Sequence, residues 1–339
     1  MNLVHPDRGK GISLLRKIGI LAICTIIILL CHLTFLSAQN VFRSDLQLPQ
    51  TLSFSKEEHR LVLITQDMET PFWDKVSEGA RKQAEDSDVS LEVWGSYGKN
   101  REEFLKNIEV AIQSKVDGII IQGLDTDEFK ELTKVKAAFH GIPIITVAND
   151  VPMGDSIRRT YVGSDHYEAG KMIASQILKD MGREGKVVLM YDTNQEYYQK
   201  QRMNGVRDML KFYPDIHLIH TTTDDTREQV IAATQDVMNK EPDIDAFIAI
   251  NANVVGAMIG EISKRSQVEP FHIFSFDDGP ESLSLLMQGK LDGVIEQSPE
   301  EMGRKSVQLM KEWLNGDTVP LDKDGYLTDI KIMKAADVQ

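Results

Sequence analysis

Residues 61–86 read LVLITQDMETPFWDKVSEGARKQAED. Leu61 to Thr65 is a short apolar, partly β-branched run and predicts a buried strand; Val76, Ala80 and Ala84 then recur at helical spacing and predict a helix from Asp74 to Asp86. Between them lies the turn Thr70–Pro71–Phe72–Trp73, at the carboxyl end of the strand, where open α/β sheets present their ligand sites. Two adjacent aromatics there offer a stacking surface for a sugar or another small ring-shaped ligand. Aromatic side chains are ordinarily core residues, but two neighbours in one turn cannot both point inward.

The same strand-then-helix rhythm continues outward. Strand-length apolar runs are expected at Gly118–Gln122, Pro143–Val147, Lys186–Tyr191, Ile216–His220, Ala246–Ile250, His272–Phe276 and Gly293–Glu296. Helices are expected at Glu102–Ser114, Asp127–His140, Tyr167–Met181, Gln199–Phe212, Arg227–Asn239, Val254–Ser263 and Glu281–Gln288. Such alternation builds parallel sheets with helices on both faces, and about ten strands with short connections favour two doubly wound sheets, hence two lobes. The extended run Thr160 to Asp165 is the expected first crossing between them.

If both sheets present their sites at the carboxyl ends of strands, the residues after each run carry the function. They are polar: Gln122, Asn149 and Asp150, Asn251, Asp277 and Asp278, and Gln297. Each taken singly reads as an ordinary turn former or helix cap. Together they offer the donors and acceptors that suit the hydroxyls of a sugar or polyol.

Ile18 to Leu36 is almost unbroken apolar sequence preceded by Arg8, Lys10, Arg16 and Lys17, which predicts a membrane span with a basic cytoplasmic tail at 1–17 and everything after it outside. The reading is a single-pass transmembrane anchor at 18–38. Cleavage as a signal segment near Ala38 is the alternative, giving a secreted or periplasmic protein. Cys24 and Cys31 both lie in this segment without the small preceding residue of a lipoprotein signal, so the exported part has no disulfide and stands on its core. Residues 39–59 mix Ser, Gln, Pro and charges and read as a linker.

The chain has 52 acidic against 38 basic residues, a formal charge of −14, which argues against nucleic acid as a partner. The eight histidines show no metal-binding spacing, and neither a nucleophile elbow nor a phosphate-binding glycine loop is present. Asp322–Lys323–Asp324–Gly325 lacks the further oxygens of a calcium loop and reads as a solvated turn. No cofactor is expected.

In order and spacing, Thr70–Pro71–Phe72–Trp73 with Gly79–Ala80, Gly163–Ser164–Asp165 with Ala169–Gly170, Arg202 with Gly205, Phe276–Asp277 with Pro280, and Gln297 resemble the type I periplasmic-binding-protein superfamily. The likeness is to its ribose-binding-like sugar-binding members, which share their fold with the sensor domains of lactose-repressor-type regulators. It runs from about Arg60 to the end. It implies two lobes, residues 60–163 with 298–324 and residues 164–297 with 325–339, joined by three crossover strands and closing on a sugar. Thr70, Phe72, Trp73, Gln122, Asn149 and Asp150 would act from the amino lobe, and Lys200, Asn251, Asp277 and Gln297 from the carboxyl lobe or hinge. The implied partners are a small-molecule ligand, a monosaccharide above all, and either an ABC permease or a membrane histidine kinase; the implied protein is not an enzyme.

The pattern departs from the family's Asp-Arg pair at Ala148–Asn149–Asp150 and from its arginine at Lys200. Ala252 stands where an acidic residue is usual, and a second aromatic is missing near Asp224–Asp225. The identity of the sugar therefore does not carry over. A regulator would begin with a basic helix-turn-helix, whereas this chain begins with an apolar span.

Overall fold

The computed structural model describes residues 25, 27–34, 59–98, 100–224, 226–265 and 271–338. The chain divides into two units, Met1–Ser55 and Lys56–Gln339. In the first, residues 27–34 are helical with Ile27, Ile28, Leu29, Leu30 and Leu33 exposed. Most of the expected span 18–38, the tail 1–17 and nearly all of the linker 39–59 lie outside the described residues. Among the described residues no helix is long and apolar enough to cross a membrane.

In the second unit the chain first lays down strands β1 (Arg60–Thr65), β2 (Ser90–Gly95), β3 (Gly118–Gln122), β4 (Ile144–Val147) and β5 (Thr160–Gly163). It continues with β6 (Gly185–Asp192), β7 (Ile216–Thr223), β8 (Ala246–Ala249), β9 (His272–Phe276) and β10 (Gly293–Glu296), and ends with β11 (Tyr326–Leu327) and β12 (Lys331–Met333). Two six-stranded sheets result among the described residues, in the orders β11-β5-β4-β3-β1-β2 and β12-β10-β9-β8-β6-β7. All pairings are parallel except β10 with β12. The central strands are apolar on both faces, as in the wholly buried β3, because helices cover both sides.

The covering helices are α1 (Pro71–Asp86), α2 (Arg101–Gln113), α3 (His166–Asp180), α4 (Tyr197–Leu210), α5 (Arg227–Lys240), α6 (Ala252–Arg265), α7 (Pro280–Met287) and α8 (Pro299–Asn315). Side-chain caps set several of their starts. The Thr70 side chain accepts from the Trp73 amide while Pro71 opens α1, and the Asp165 carboxylate caps α3 through the Glu168 amide. The stretch expected as one helix over 127–140 is instead Asp127–Lys130 and Ala137–Phe139 on either side of a π-helical Glu131–Lys136. Helix α8 adds to those expected; it lies close along α1, where a Cβ on Gly79 would sit 2.0 Å from the Glu300 carbonyl oxygen and one on Gly303 1.9 Å from that of Val76, and its Met302, Leu309 and Met310 join the amino-lobe core.

Helices α3 and α4 approach so closely that a Cβ on Gly170 would sit 2.0 Å from the Arg202 carbonyl oxygen, and one on Gly205 2.0 Å from that of Tyr167. Only glycine fits at either position. The close packing brings the Arg202 turn of α4 hard against the start of α3, beside the first crossing.

The lobes join at three crossings, after β5, after β10 and between β11 and β12. Ser164 Oγ on the first donates to Gln297 Oε1 on the second at 2.6 Å, and Ser298 Oγ donates to the Asp329 carbonyl on the third at 2.9 Å. The Thr328 amide closes the set on the Gly163 carbonyl. One lobe boundary shifts from expectation: Tyr326–Leu327 pairs with Val162–Gly163 in the first sheet, so the carboxyl lobe regains the chain after Leu327 rather than at 325. Edge pairing to β5 decides this, and two residues carry too little pattern to show it.

Candidate functional site

A cavity of about 530 Å3 lies where the two sheets turn their carboxyl ends toward each other. The amino lobe contributes Gln66 and Asp67 after β1, the Thr70 to Trp73 turn, Lys75, Gln122 at the end of β3 and Asn149 after β4. The carboxyl lobe contributes Asp192 ending β6, Glu196, Tyr198 and Arg202 at the start of α4, Asn251 after β8, and Asp277 to Leu283 after β9; Gln297 enters from the second crossing. The volume is that of a small-molecule site. Phe72 stands edge-on to Trp73, ring centres 5.5 Å apart. Trp73 is only 6 % exposed and belongs to the amino-lobe core, so Phe72, half-buried, is the freer of the two rings.

The polar floor is built around Arg202, 2 % exposed. Its Nη1 donates to the Ile250 carbonyl at 2.9 Å and its Nε to His166 Nδ1 at 3.4 Å. Nη2 lies 3.6 Å from Asp277 Oδ1, and the guanidinium stacks 4.1 Å from the Phe276 ring centre and 4.9 Å from that of Tyr198. Gln297 Nε2 donates to the same Asp277 oxygen. Burial pushes the Asp277 carboxyl above its ordinary range, against the opposing pull of Arg202 and Gln297. Because Gln297 also takes the Ser164 hydroxyl, one chain of hydrogen bonds links the cavity floor to two of the three crossings.

His166 donates from Nε2 to the Ala148 carbonyl at 2.9 Å. Burial, and then the Arg202 cation, drive its pKa down to about 3 from 6.5, so it is neutral in the folded protein. In the unfolded chain it takes up a proton below pH 6.5. Its contribution is therefore complete above pH 6.5 and is lost as pH falls from there toward 3. By pH 5 the expected loss is about 2 kcal/mol. Urea unfolding between pH 7 and pH 5 should show that slope in the wild type and lose it in His166→Gln; an equal slope in both would contradict the assignment.

Across the mouth the lobes touch through polar pairs. Lys75 Nζ lies 3.2 Å from Asp278 Oδ2, Asn149 Nδ2 donates to Glu196 Oε2 at 3.4 Å, and Lys200 Nζ lies 3.4 Å from Asp125 Oδ2. Burial alone would raise Asp125, but the Lys130 and Lys200 ammoniums outweigh it and hold its carboxyl below the ordinary range. Among the described residues no group of three His, Cys, Asp or Glu side chains is placed to hold a metal.

Residues 61–318 match the family described as periplasmic binding protein domain. The chain belongs to that family. Within it the chain is a type I, ribose-binding-like member. The ribose import binding protein of Salmonella typhimurium is 23% identical over 273 residues, 80% of this chain and 90% of that protein. The glucose-galactose binding protein GanP of Geobacillus stearothermophilus superposes with a TM-score of 0.77 at 28% identity, covering 84% of this chain and 99% of that one. A structure of the XylFII-LytSN complex matches with a TM-score of 0.72 at 24% identity, over 83% of this chain and 99% of that one. Such relatives are binding proteins, not enzymes.

Of the residues that sequence and resemblance singled out in this periplasmic binding protein, Thr70, Phe72, Trp73, Gln122, Asn149, Asn251, Asp277 and Gln297 line the cavity. Asp150 and Lys200 do not. Ala148 takes a positive φ of 61°, and past this turn Asp150 folds back: Arg158 grips both its oxygens at 2.6 and 2.7 Å and Thr146 donates to it at 2.6 Å. Lys200 sits on α4 between Tyr198 and Arg202, which are one turn apart and share the inner face. At about 100° per residue it must point elsewhere, and it reaches Asp125 at the rim.

Gln66, Asp192 and Tyr198 are cavity residues that sequence reasoning passed over. Asp192 and Gln66 follow the same rule as the other strand ends, since Lys186–Tyr191 and Leu61–Thr65 both read as strands. Tyr198 supplies an aromatic from the carboxyl lobe, from α4 rather than from near Asp224–Asp225, where the sequence lacks one. Arg202 carries the family resemblance in the sequence, which gives it no place in the cavity.

Proposed function

We propose that this protein is an extracytoplasmic receptor that binds a sugar or related polar small molecule by closing its two lobes, and that it serves ABC-type uptake. The observation that carries the reading is the interlobe cavity: an aromatic corner at Phe72 and Trp73 opposite the amide and carboxylate groups of Asn251, Asp277 and Gln297. A pyranose has an apolar C–H face and a hydroxyl rim, which such a corner and such a floor complement. Its relatives named as ribose import and D-apiose import binding proteins support the sugar class.

The apolar segment 18–38 would anchor the chain in the cell membrane as a single pass, with the domain outside. A second reading, a sugar sensor that signals to a membrane histidine kinase, draws on that anchor, which fixes a receptor beside a membrane partner, and on the likeness to a XylFII-LytSN complex.

Thermal melting of the purified full chain against a panel of pentoses, hexoses and polyols tests the sugar reading. At least one compound should raise the melting temperature through ligand linkage, by several degrees at saturation. A flat response across the panel would sink it. Mass spectrometry of the membrane fraction should find peptides from before Ala38; a mature chain beginning at Gln39 would refute the anchor.

A further inference from the structure

The charge in the cavity is one-sided. Six carboxylates line it among the described residues, at Asp67, Asp192, Glu196, Asp277, Asp278 and Glu281, against two cations, Lys75 and Arg202. Both cations are engaged, Lys75 with Asp278 and Arg202 with Asp277. Asp192 holds the most exacting position. Its Oδ2 takes the amides of Gln199 and Asn251 at 2.6 and 2.9 Å, while Oδ1 is buried with no hydrogen-bond partner. Closing a cavity over such a group costs free energy unless something answers both its hydrogen bond and its charge. A hydroxyl answers the first; an ammonium answers both, through a charge-assisted hydrogen bond.

The facing lobe sets a second condition. Gln66 is 8 % exposed, lines the same cavity, and its Nε2 is likewise buried without a partner. An amide N–H needs an acceptor, which an ammonium lacks and a hydroxyl oxygen supplies. The aromatic corner adds the preference for a ring. We infer that the ligand is a cyclic polyol bearing a protonated amine, an amino sugar or amino cyclitol, with Asp192 receiving the ammonium and Gln66 a ring hydroxyl. This inference rests on the sugar-binding reading and narrows it.

Calorimetric titration of the full chain with matched pairs provides the test: glucosamine against glucose, galactosamine against galactose, and a monoamino cyclitol against the parent cyclitol. At least one amine should bind roughly 10- to 100-fold more tightly than its hydroxyl counterpart, the range set by a hydrogen bond to a charged group. Asp192→Asn, nearly the same in shape, should bring that pair to within about threefold, the charge-assisted share being gone. Hydroxyl compounds binding the wild type as tightly as their amines would overturn the inference and leave the sugar-binding reading standing. Failure of every compound in both sets would overturn the inference too, while the sugar-binding reading falls only if the wider panel of pentoses, hexoses and polyols is also flat. The wild-type comparison decides even if the variant fails to fold, and an amine preference that survives intact in a folded Asp192→Asn would remove Asp192 from the role.

Discussion

Arg202→Met is expected to lower the unfolding free energy by about 3 kcal/mol at pH 7 and to abolish ligand binding. Methionine fills much of the space, so the loss is electrostatic and polar rather than a cavity. The Ile250 carbonyl and His166 Nδ1 lose their donor, and Asp277 loses the cation 3.6 Å away. Removing one member of a buried pair costs about 3–5 kcal/mol because the other charge is stranded. The low end applies here, since the Asp277 side chain retains 26% exposure.

The sign of the pH dependence follows. Asp277 already titrates above its ordinary range, and without Arg202 it rises further. A neutral carboxyl needs no counter-charge, so the deficit of the variant should shrink as pH falls through that raised value. Arg202→Met/Asp277→Asn should recover part of the stability at pH 7. Urea denaturation checks all three statements, and a single variant within about 0.5 kcal/mol of wild type, the range of an inconsequential surface change, would show that the pair does not hold the floor.

Trp73→Ala should cost about 3–5 kcal/mol of stability, the usual range for deleting a large buried aromatic. Trp73 packs into the amino-lobe core with Val76, Ala80 and Met302 as it lines the cavity, so its removal opens a hole between α1 and α8 as well as in the binding wall. Phe72→Ala should behave differently. Its half-buried ring is worth about 1 kcal/mol to the fold, yet it is the ring with a face to offer a ligand. The expected pattern is a large drop in melting temperature with Trp73→Ala, and a small drop but lost ligand response with Phe72→Ala. A Phe72→Ala protein that binds the wild-type ligand unimpaired would take the stacking surface away from this turn.

Those two neighbours show where sequence reading succeeds and where it stops. Periodicity places Phe72 and Trp73 in one turn and requires one ring to leave the core, but which one depends on the angle at which α1 packs against α8. That angle is set by contacts to residues more than two hundred positions away. The alternation of strands and helices was legible because burial on both faces leaves strands such as Ile119–Ile120–Ile121 continuously apolar. Strand β2 was not, because Ser90 to Gly95 lies at the sheet edge and is only half-buried. At the cavity, Gln122, Asn251, Asp277 and Gln297 lie on the wall at the ends of expected strands, and the same rule reaches Gln66 and Asp192. Asp150 and Lys200 fall outside the cavity lining for local reasons, a left-handed Ala148 and the phase of one helix. The Ser164–Gln297–Asp277 chain joins three separate segments, and nothing in any one of them reveals it.

Closure of the two lobes around a ligand is tested most directly by the distance across the cleft. With Cys24 and Cys31 replaced by Ser, spin labels at exposed positions Lys82→Cys on α1 and Gln288→Cys just after α7 report one lobe against the other. Pulsed dipolar spectroscopy should give a broad, longer distribution in the unliganded full chain. A saturating compound from the panels above should collapse it to a single shorter, narrow one. A distribution that stays the same at saturating ligand would contradict closure and, with it, the account of the cavity as the jaw of a two-lobed receptor.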